Sequence, residues 1–195
     1  MDKKPQIFYE IELKSVFNKA KYDELDKLLN SDPKFKLINK ESITTNFYKD
    51  QEKKDDVRLR LSDKTIEFVY KKGCVTKICR KEVKIPLGTK EQLEHFIHVF
   101  DHLPIPKERG TLKHKQEFLY RFNDYDYIIC LQYIENFAYI LEIEYLGESE
   151  AESEIHEPNL RAILQELNLK PIDDEKFLKR LKAYISGENT LDYEC

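Results

Sequence analysis

The chain has 195 residues, 41% of them apolar and 36% charged, with 12 Tyr and 11 Phe. That supports one good-sized core, and the aromatic content excludes a disordered chain. Thirty-three Lys and Arg against 37 Asp and Glu leave a net charge of −4, which argues against a protein wrapped on nucleic acid by bulk charge.

Met1-Asp2-Lys3-Lys4-Pro5 opens no apolar stretch of signal-peptide length, and no later run is long enough to span a bilayer. Ile7–Lys14 then alternates as a strand, with Tyr9, Ile11 and Leu13 on one side. Lys19–Asn30 has the helical stripe Tyr22, Leu25, Leu28 and Leu29, and Asp32-Pro33 ends it. Four strands are predicted next, over Ile43–Tyr48, Val57–Leu61, Thr65–Lys72 and Thr76–Ile85. Ser62-Asp63-Lys64 and Lys72-Gly73 mark turns between them. Thr89 reads as an N-cap, with Gln92 at the capping-box position, for a helix running to about His102. After Pro104 and Pro106 come strands Thr111–Phe122, Tyr125–Tyr133 and Tyr139–Leu146. Gly147–Glu157, with Glu148, Glu150, Glu152, Glu154 and Glu157, reads as an exposed acidic loop. Helices Asn159–Leu167 and Asp174–Ile185 finish the chain. No Gly- or Ser-rich linker divides it, so residues 1–195 read as a single domain. Its strands fill about 7–146 and its last helices about 157–186.

Cys74, Cys79, Cys130 and Cys195 contain no CxxC pair, and they read as reduced thiols. His95, His98 and His102 share one helix face opposite Leu93, Phe96, Ile97 and Phe100. They read as a polar stripe, although their spacing can present zinc ligands.

The polar strand faces carry the functional signal. An ordinary half-solvated sheet mixes Thr, Ser, Lys and Glu on its wet face. Here charges sit at i, i+2: Glu10, Glu12 and Lys14; Arg58 and Arg60; Arg80, Glu82 and Lys84; Lys113, Lys115, Glu117 and Arg121; Glu142 and Glu144. About eight antiparallel strands can close into a barrel that holds one small ligand. With the apolar faces outward under helices, the lumen would be cationic enough for an oligophosphate and acidic enough for divalent cations. Patterning alone leaves open a β-sandwich with salt-bridged solvated faces.

Glu10-Ile11-Glu12-Leu13-Lys14 resembles the ExExK signature of the CYTH superfamily, the triphosphate tunnel metalloenzymes. Further blocks follow in that family's order. Asn46-Phe47-Tyr48-Lys49-Asp50 looks like its aromatic strand, Arg58-Leu59-Arg60 its RxR and Phe68-Val69-Tyr70-Lys71 its lysine strand. Arg80-Lys81-Glu82 resembles its RxE, Lys113-His114-Lys115 stands at its KxR, and Leu141-Glu142-Ile143-Glu144 looks like its closing ExE. The resemblance covers residues 7–146. It implies an α+β fold: a closed eight-stranded antiparallel β-barrel with flanking helices.

The resemblance also implies a function, that of a hydrolase of tripolyphosphate or of nucleoside or thiamine triphosphate, dependent on Mg²⁺ or Mn²⁺. The alternatives are a class IV adenylyl cyclase making cyclic AMP from ATP, or a degenerate module that binds polyphosphate or nucleotide without turnover. Carried over by position, Glu10, Glu12, Glu142 and Glu144 would hold metal. Lys14, Arg58, Arg60, Lys71, Arg80, Lys113, Lys115 and Arg121 would contact phosphates, and Lys14, Glu12 and Glu82 would be catalytic. The expected partner is a triphosphate-bearing small molecule, met by a monomer or homodimer in the cytoplasm, with no membrane or nucleic acid involved. Four positions depart from the pattern: Lys84 stands for a second carboxylate, Lys115 for an Arg and Gln132 for an Asp, and the usual Gly before the last strand is missing from Tyr133-Ile134-Glu135-Asn136-Phe137.

Overall fold

A computed structural model of the chain describes residues 4–49 and 54–193. Asp50 and Cys195 lie outside the described residues. Eight strands form one closed barrel, antiparallel throughout: β1 (Gln6–Phe17), β2 (Phe35–Lys49), β3 (Asp56–Leu61), β4 (Ile66–Lys71), β5 (Cys79–Pro86), β6 (Lys107–Phe122), β7 (Tyr125–Ile134) and β8 (Ala138–Gly147). Their order round the barrel is β1-β5-β4-β3-β2-β6-β7-β8. Four helices accompany it: α1 (Lys19–Ser31), α2 (Lys90–Asp101), α3 (Ser153–Glu166) and α4 (Asp174–Ile185). The sandwich alternative is thereby replaced by a closed barrel. Among the described residues, no helix is long and apolar enough to cross a membrane.

The apolar strand faces point outward and bury against helices. Ile11, Leu13, Phe118, Ile129, Leu141 and Ile143 pack with Leu25 and Leu29 of α1 and with Leu160, Ile163 and Leu164 of α3. Each such side chain, fully buried, contributes about 1.5–3 kcal/mol. On the other side Tyr48, Leu59 and Phe68 pack with Leu93, Ile97 and Phe100 of α2. These outer layers leave the charged faces nowhere to point but inward.

Local chemistry sets the ends of the elements. Asn18 caps α1 by accepting from Lys21 N, Thr89 caps α2 through Gln92 N, and Asp173 caps α4 through Lys176 N. The β6–β7 turn puts Asn123 and Asp124 at positive φ, as a tight hairpin turn requires. Asn136, in the β7–β8 turn, has φ 58°. It adopts the left-handed conformation that a glycine would otherwise supply there.

Two expectations are corrected. Residues 148–157 are not a loop: Glu150–Glu152 form a 3₁₀ turn that runs into α3 at Ser153. Ser149 and Glu152 form a capping box, and the Glu152 carboxylate accepts from the backbone N–H groups of Glu148 and Ser149 at 2.7 and 2.8 Å. Acidic side chains there also suit the positive end of the helix dipole. The second correction concerns β2, which begins at Phe35 rather than Ile43 and pairs with β6 along its polar first half.

Candidate active site

Strand register builds the site, because residues paired across an antiparallel ladder point to the same face. Glu12 stands opposite Glu144, Lys14 opposite Glu142, and Glu10 opposite Arg80. Lys71 is paired with Asp56 and Glu82, Arg60 with Glu67, and Lys115 with Glu41 and Gln132. All of these face one interior cavity or support a side chain that does. The cavity is lined by Glu10, Glu12, Lys14, Arg58, Arg60, Lys71, Arg80, Lys113, Lys115, Glu142 and Glu144. Glu82 lies just behind that wall, fully buried. Arg121 is the exception among the sequence candidates. It shares the inward parity, but the strand has passed the barrel rim there, and the side chain is 63% exposed in an ion pair with Asp126 at 2.9 Å.

The charges pair densely. Lys71 bonds to Glu10 and lies 2.9 Å from Glu82. Arg80 reaches Glu12 at 3.0 Å and Asp56 at 3.2 Å. Lys14 bonds to Glu12, Arg58 reaches Asp56 at 2.7 Å, Arg60 reaches Glu67 at 3.1 Å, and Lys115 reaches Glu117 at 2.6 Å. Burial opposes ionisation of Glu12 and neighbouring Glu10 adds to that. The Lys14, Lys71 and Arg80 charges prevail, and its carboxyl falls to about 2. Glu82 is likewise driven down, against burial, by Lys71 and Lys84.

Among the described residues lining the cavity, three side-chain donor groups stand without an acceptor, while Glu41 Oε2 and both Glu82 oxygens are buried without a hydrogen-bond donor. The Nε–H donors of Arg58 and Arg80 are buried and meet no acceptor. The Lys113 ammonium lines the cavity with no ion pair among the described residues, and burial lowers it to about 8. An unpaired buried donor is costly, and an anion entering the cavity would relieve that cost.

Carboxylate oxygens of Glu10, Glu12 and Glu144 lie within 4.8 Å of one another. Glu144 makes no ion pair among the described residues; burial, and after it the Glu10 charge, push its carboxyl up to about 8 against the weaker pull of Lys84 and Lys115. Three converging oxygen donors with one uncompensated carboxylate fit a hard divalent cation. Glu142 is not brought into this group: it accepts from Gln132 and stands 3.8 Å from Lys14. The exposed histidines of α2 lie outside the barrel, His98 and His102 against each other with ring centroids 4.5 Å apart.

No protein-family model matches the chain, and no curated protein matches it in sequence. Solved structures do. The PH1819 protein from Pyrococcus horikoshii superposes with a TM-score of 0.71 at 19% identity, over 90% of this chain and 99% of that one. A Vibrio parahaemolyticus protein named as an adenylate cyclase candidate gives 0.62 at 14% identity, over 88% and 98%. HpAC1 from Hippeastrum, named as an adenylyl cyclase candidate and found to have a dominant triphosphatase activity, gives 0.58 at 14%, over 93% and 96%. The chain has the triphosphate-tunnel fold.

Several tunnel residues escaped the sequence reading. Asp56 ties Arg58 to Arg80. Its i, i+2, i+4 parity with Arg58 and Arg60 was a usable signal, but the predicted strand began one residue too late. Glu41 and Asn39 face inward from the polar half of β2, where Asn39 donates to both Glu41 and Glu117 at 2.8 Å. Of the departures from the family pattern, Lys84 turns inward to Glu82 at 3.4 Å, and Gln132 serves as a donor to Glu142.

Proposed function

We propose that the chain is a divalent-cation-dependent triphosphatase whose tunnel holds the triphosphate of tripolyphosphate or of a nucleoside or thiamine triphosphate. The observation that carries this reading is the set of unpartnered inward donors: Arg58 Nε, Arg80 Nε and the Lys113 ammonium. Arg58, Arg80 and Lys113 line the same cavity as the carboxylate trio Glu10, Glu12 and Glu144. Buried cationic side chains with donors still unmet, in one cavity with converging carboxylates, match the needs of a polyanion and its cation. The activity found for HpAC1 agrees with it.

Glu10, Glu12 and Glu144 would hold Mg²⁺ or Mn²⁺. When bound, that cation supplies charge neutralisation at the phosphate oxygens. Arg58, Arg60, Lys113 and Lys115 take up charge on the transferring and leaving phosphates, acting by position rather than by covalent chemistry. Glu82 holds Lys71 and Lys84 in place. A Glu12 carboxyl near 2 is too weak a base to take a proton at neutral pH, so its part is to orient and to bind.

The test is a panel of tripolyphosphate, ATP, GTP and thiamine triphosphate with Mg²⁺ and with Mn²⁺, with products separated. Orthophosphate release that Glu12→Gln lowers by about 100-fold or more, with the circular dichroism spectrum kept, is the expected result. Cyclic AMP and pyrophosphate from ATP would replace the reading with cyclase. Binding with no product from any of them would leave a binding module.

A further inference from the structure

The inward face of β7 carries a side chain that neither the phosphate contacts nor the carboxylate trio uses. Cys130 is 1% exposed and lines the cavity. Its Cα partners are Glu117 on β6 and Glu142 on β8, so strand parity turns its sulfur toward carboxylates. A buried free thiol ordinarily behaves as a small hydrophobe. This one has its Sγ within 4.8 Å of carboxylate oxygens of Glu117 and Glu144, which lie as close to each other. Its hydrogen bond to Glu117 Oε1 is 4.0 Å long, a weak hold for a polar group so deeply buried.

The neighbouring charges are arranged for an exchange of partners. Lys115 Nζ lies 2.6 Å from Glu117 Oε1 and 3.9 Å from Glu41 Oε1. The Glu41 side chain is 6% exposed, and its Oε2 is buried with no donor. Asn39 fixes these two carboxylates side by side, its amide donating to both at 2.8 Å. A cation on Glu117 would push Lys115 toward Glu41, where a buried acceptor already stands unmet. The charges then balance: two carboxylates and a thiolate face a dication and the displaced ammonium.

Sulfur decides which dication fits. Mg²⁺ takes oxygen ligands in near-octahedral geometry and keeps several waters, whereas a Cys thiolate with carboxylates suits the tetrahedral preference of Zn²⁺. We infer that Glu117, Cys130 and Glu144 form a second cation site, thiophilic in character, that takes Zn²⁺ beside the all-oxygen group of Glu10, Glu12 and Glu144. Binding breaks the Cys130 S–H bond and forms a Zn–S bond; the proton leaves to solvent and no oxidation state changes. Glu144 belongs to both groups and, with two oxygens, bridges the two cations. The site needs no phosphate, and it stands whether or not the tunnel hydrolyses triphosphates.

The experiment titrates the intact, metal-free chain with Co²⁺, a spectroscopic stand-in for Zn²⁺, without triphosphate and in excess Mg²⁺. Zn²⁺ affinity is measured by competition with a chromophoric chelator. Expected is a sulfur-to-cobalt charge-transfer band that saturates at one ion per chain, persists in Mg²⁺ and disappears when Zn²⁺ is added. Cys130→Ser should abolish the band and weaken Zn²⁺ by about 100-fold or more, since losing even an indirect partner of a metal costs about 10–100-fold. Glu117→Gln should keep a band but weaken Zn²⁺ by about tenfold or more, with the circular dichroism spectrum of each variant checking the fold. Absence of the band in the native chain, its survival in Cys130→Ser or its loss to Mg²⁺ would overturn the site. Should Cys130→Ser fail to fold, Glu117→Gln decides: unchanged Zn²⁺ affinity there would overturn it equally.

Discussion

Lys113 shares the tunnel wall with Glu142, Lys115, Arg60 and Arg58, and burial holds its ammonium at about 8. A bound phosphate favours the charged form, so binding is strongest while Lys113 keeps its proton. KM should therefore be flat below pH 8 and climb above it, approaching tenfold per pH unit once the lysine is neutral. Lys113→Met should raise KM throughout and abolish that climb; an unchanged pH profile in the variant would remove Lys113 from phosphate binding. Arg80 tests stability instead. It is almost fully buried and faces Glu10, Glu12 and Asp56. Arg80→Leu strands those carboxylates, and a loss of about 3–5 kcal/mol in urea unfolding is expected; a loss under 1 kcal/mol would mean that the carboxylates find other cations. The inward cations were legible in the sequence because period-2 alternation sorts a strand's residues by face. Asp56 and Glu41 were not, because that rule works only inside the bounds assigned to a strand, and both fell outside them.

At the scale of elements, bounds were legible where apolar periodicity is strong and failed where polar side chains carry the pairing. Helix α4 begins and ends where its stripe does, whereas the first half of β2 reads Lys36, Asn39, Lys40 and Glu41 and is held by its ladder to β6. Non-local pairing of that kind leaves no hydrophobic signature. Helix α3 hid its start behind glutamates, and it also carries a pH-sensitive fastening. His156, buried, stacks on Tyr145 with centroids 3.5 Å apart, and Tyr127 OH bonds its Nδ1 at 2.8 Å. Asn159 donates to that hydroxyl at 2.7 Å, which leaves the Tyr127 proton for Nδ1. Burial lowers the His156 pKa, against the opposing pull of Glu152. A base whose folded pKa is depressed contributes stability that is present above its unfolded value, near 6.5, and is lost as pH falls through the folded one. Unfolding free energy should therefore drop from pH 7 toward 5 more steeply in the native chain than in His156→Phe. Parallel curves would show that α3 does not sense this proton.

For the whole molecule, barrel closure converts a list of charged strands into a site. The outer faces carry the hydrophobic stabilisation through α1, α2 and α3, while the lumen holds ion pairs whose desolvation cost offsets much of their attraction. Arg58 Nε, Arg80 Nε and Lys113 remain unmatched within it, as does Glu144, held near 8 by burial and by Glu10. A triphosphate supplies acceptors to the first three, and a divalent cation supplies charge to the fourth. Each ligand removes a penalty that the other leaves in place, and the bound polyanion and cation attract each other in the buried lumen, so the two should stabilise the fold more together than the sum of their separate effects. At a hundred times its dissociation constant, a ligand bound only to the native state adds about 2.7 kcal/mol. For a chain of this length each kcal/mol moves Tm by about 2–4 °C, so each ligand alone should raise Tm by about 5–11 °C and the ternary complex by more than the sum of the two, with a non-hydrolysable triphosphate analogue used to prevent turnover. Lys113→Met should lose most of the analogue's shift, and Glu12→Gln most of the cation's. Equal shifts from sulfate at the same ionic strength, or strictly additive ones, would mean that the tunnel gathers anions without the pairing of phosphate and metal on which the proposed chemistry depends.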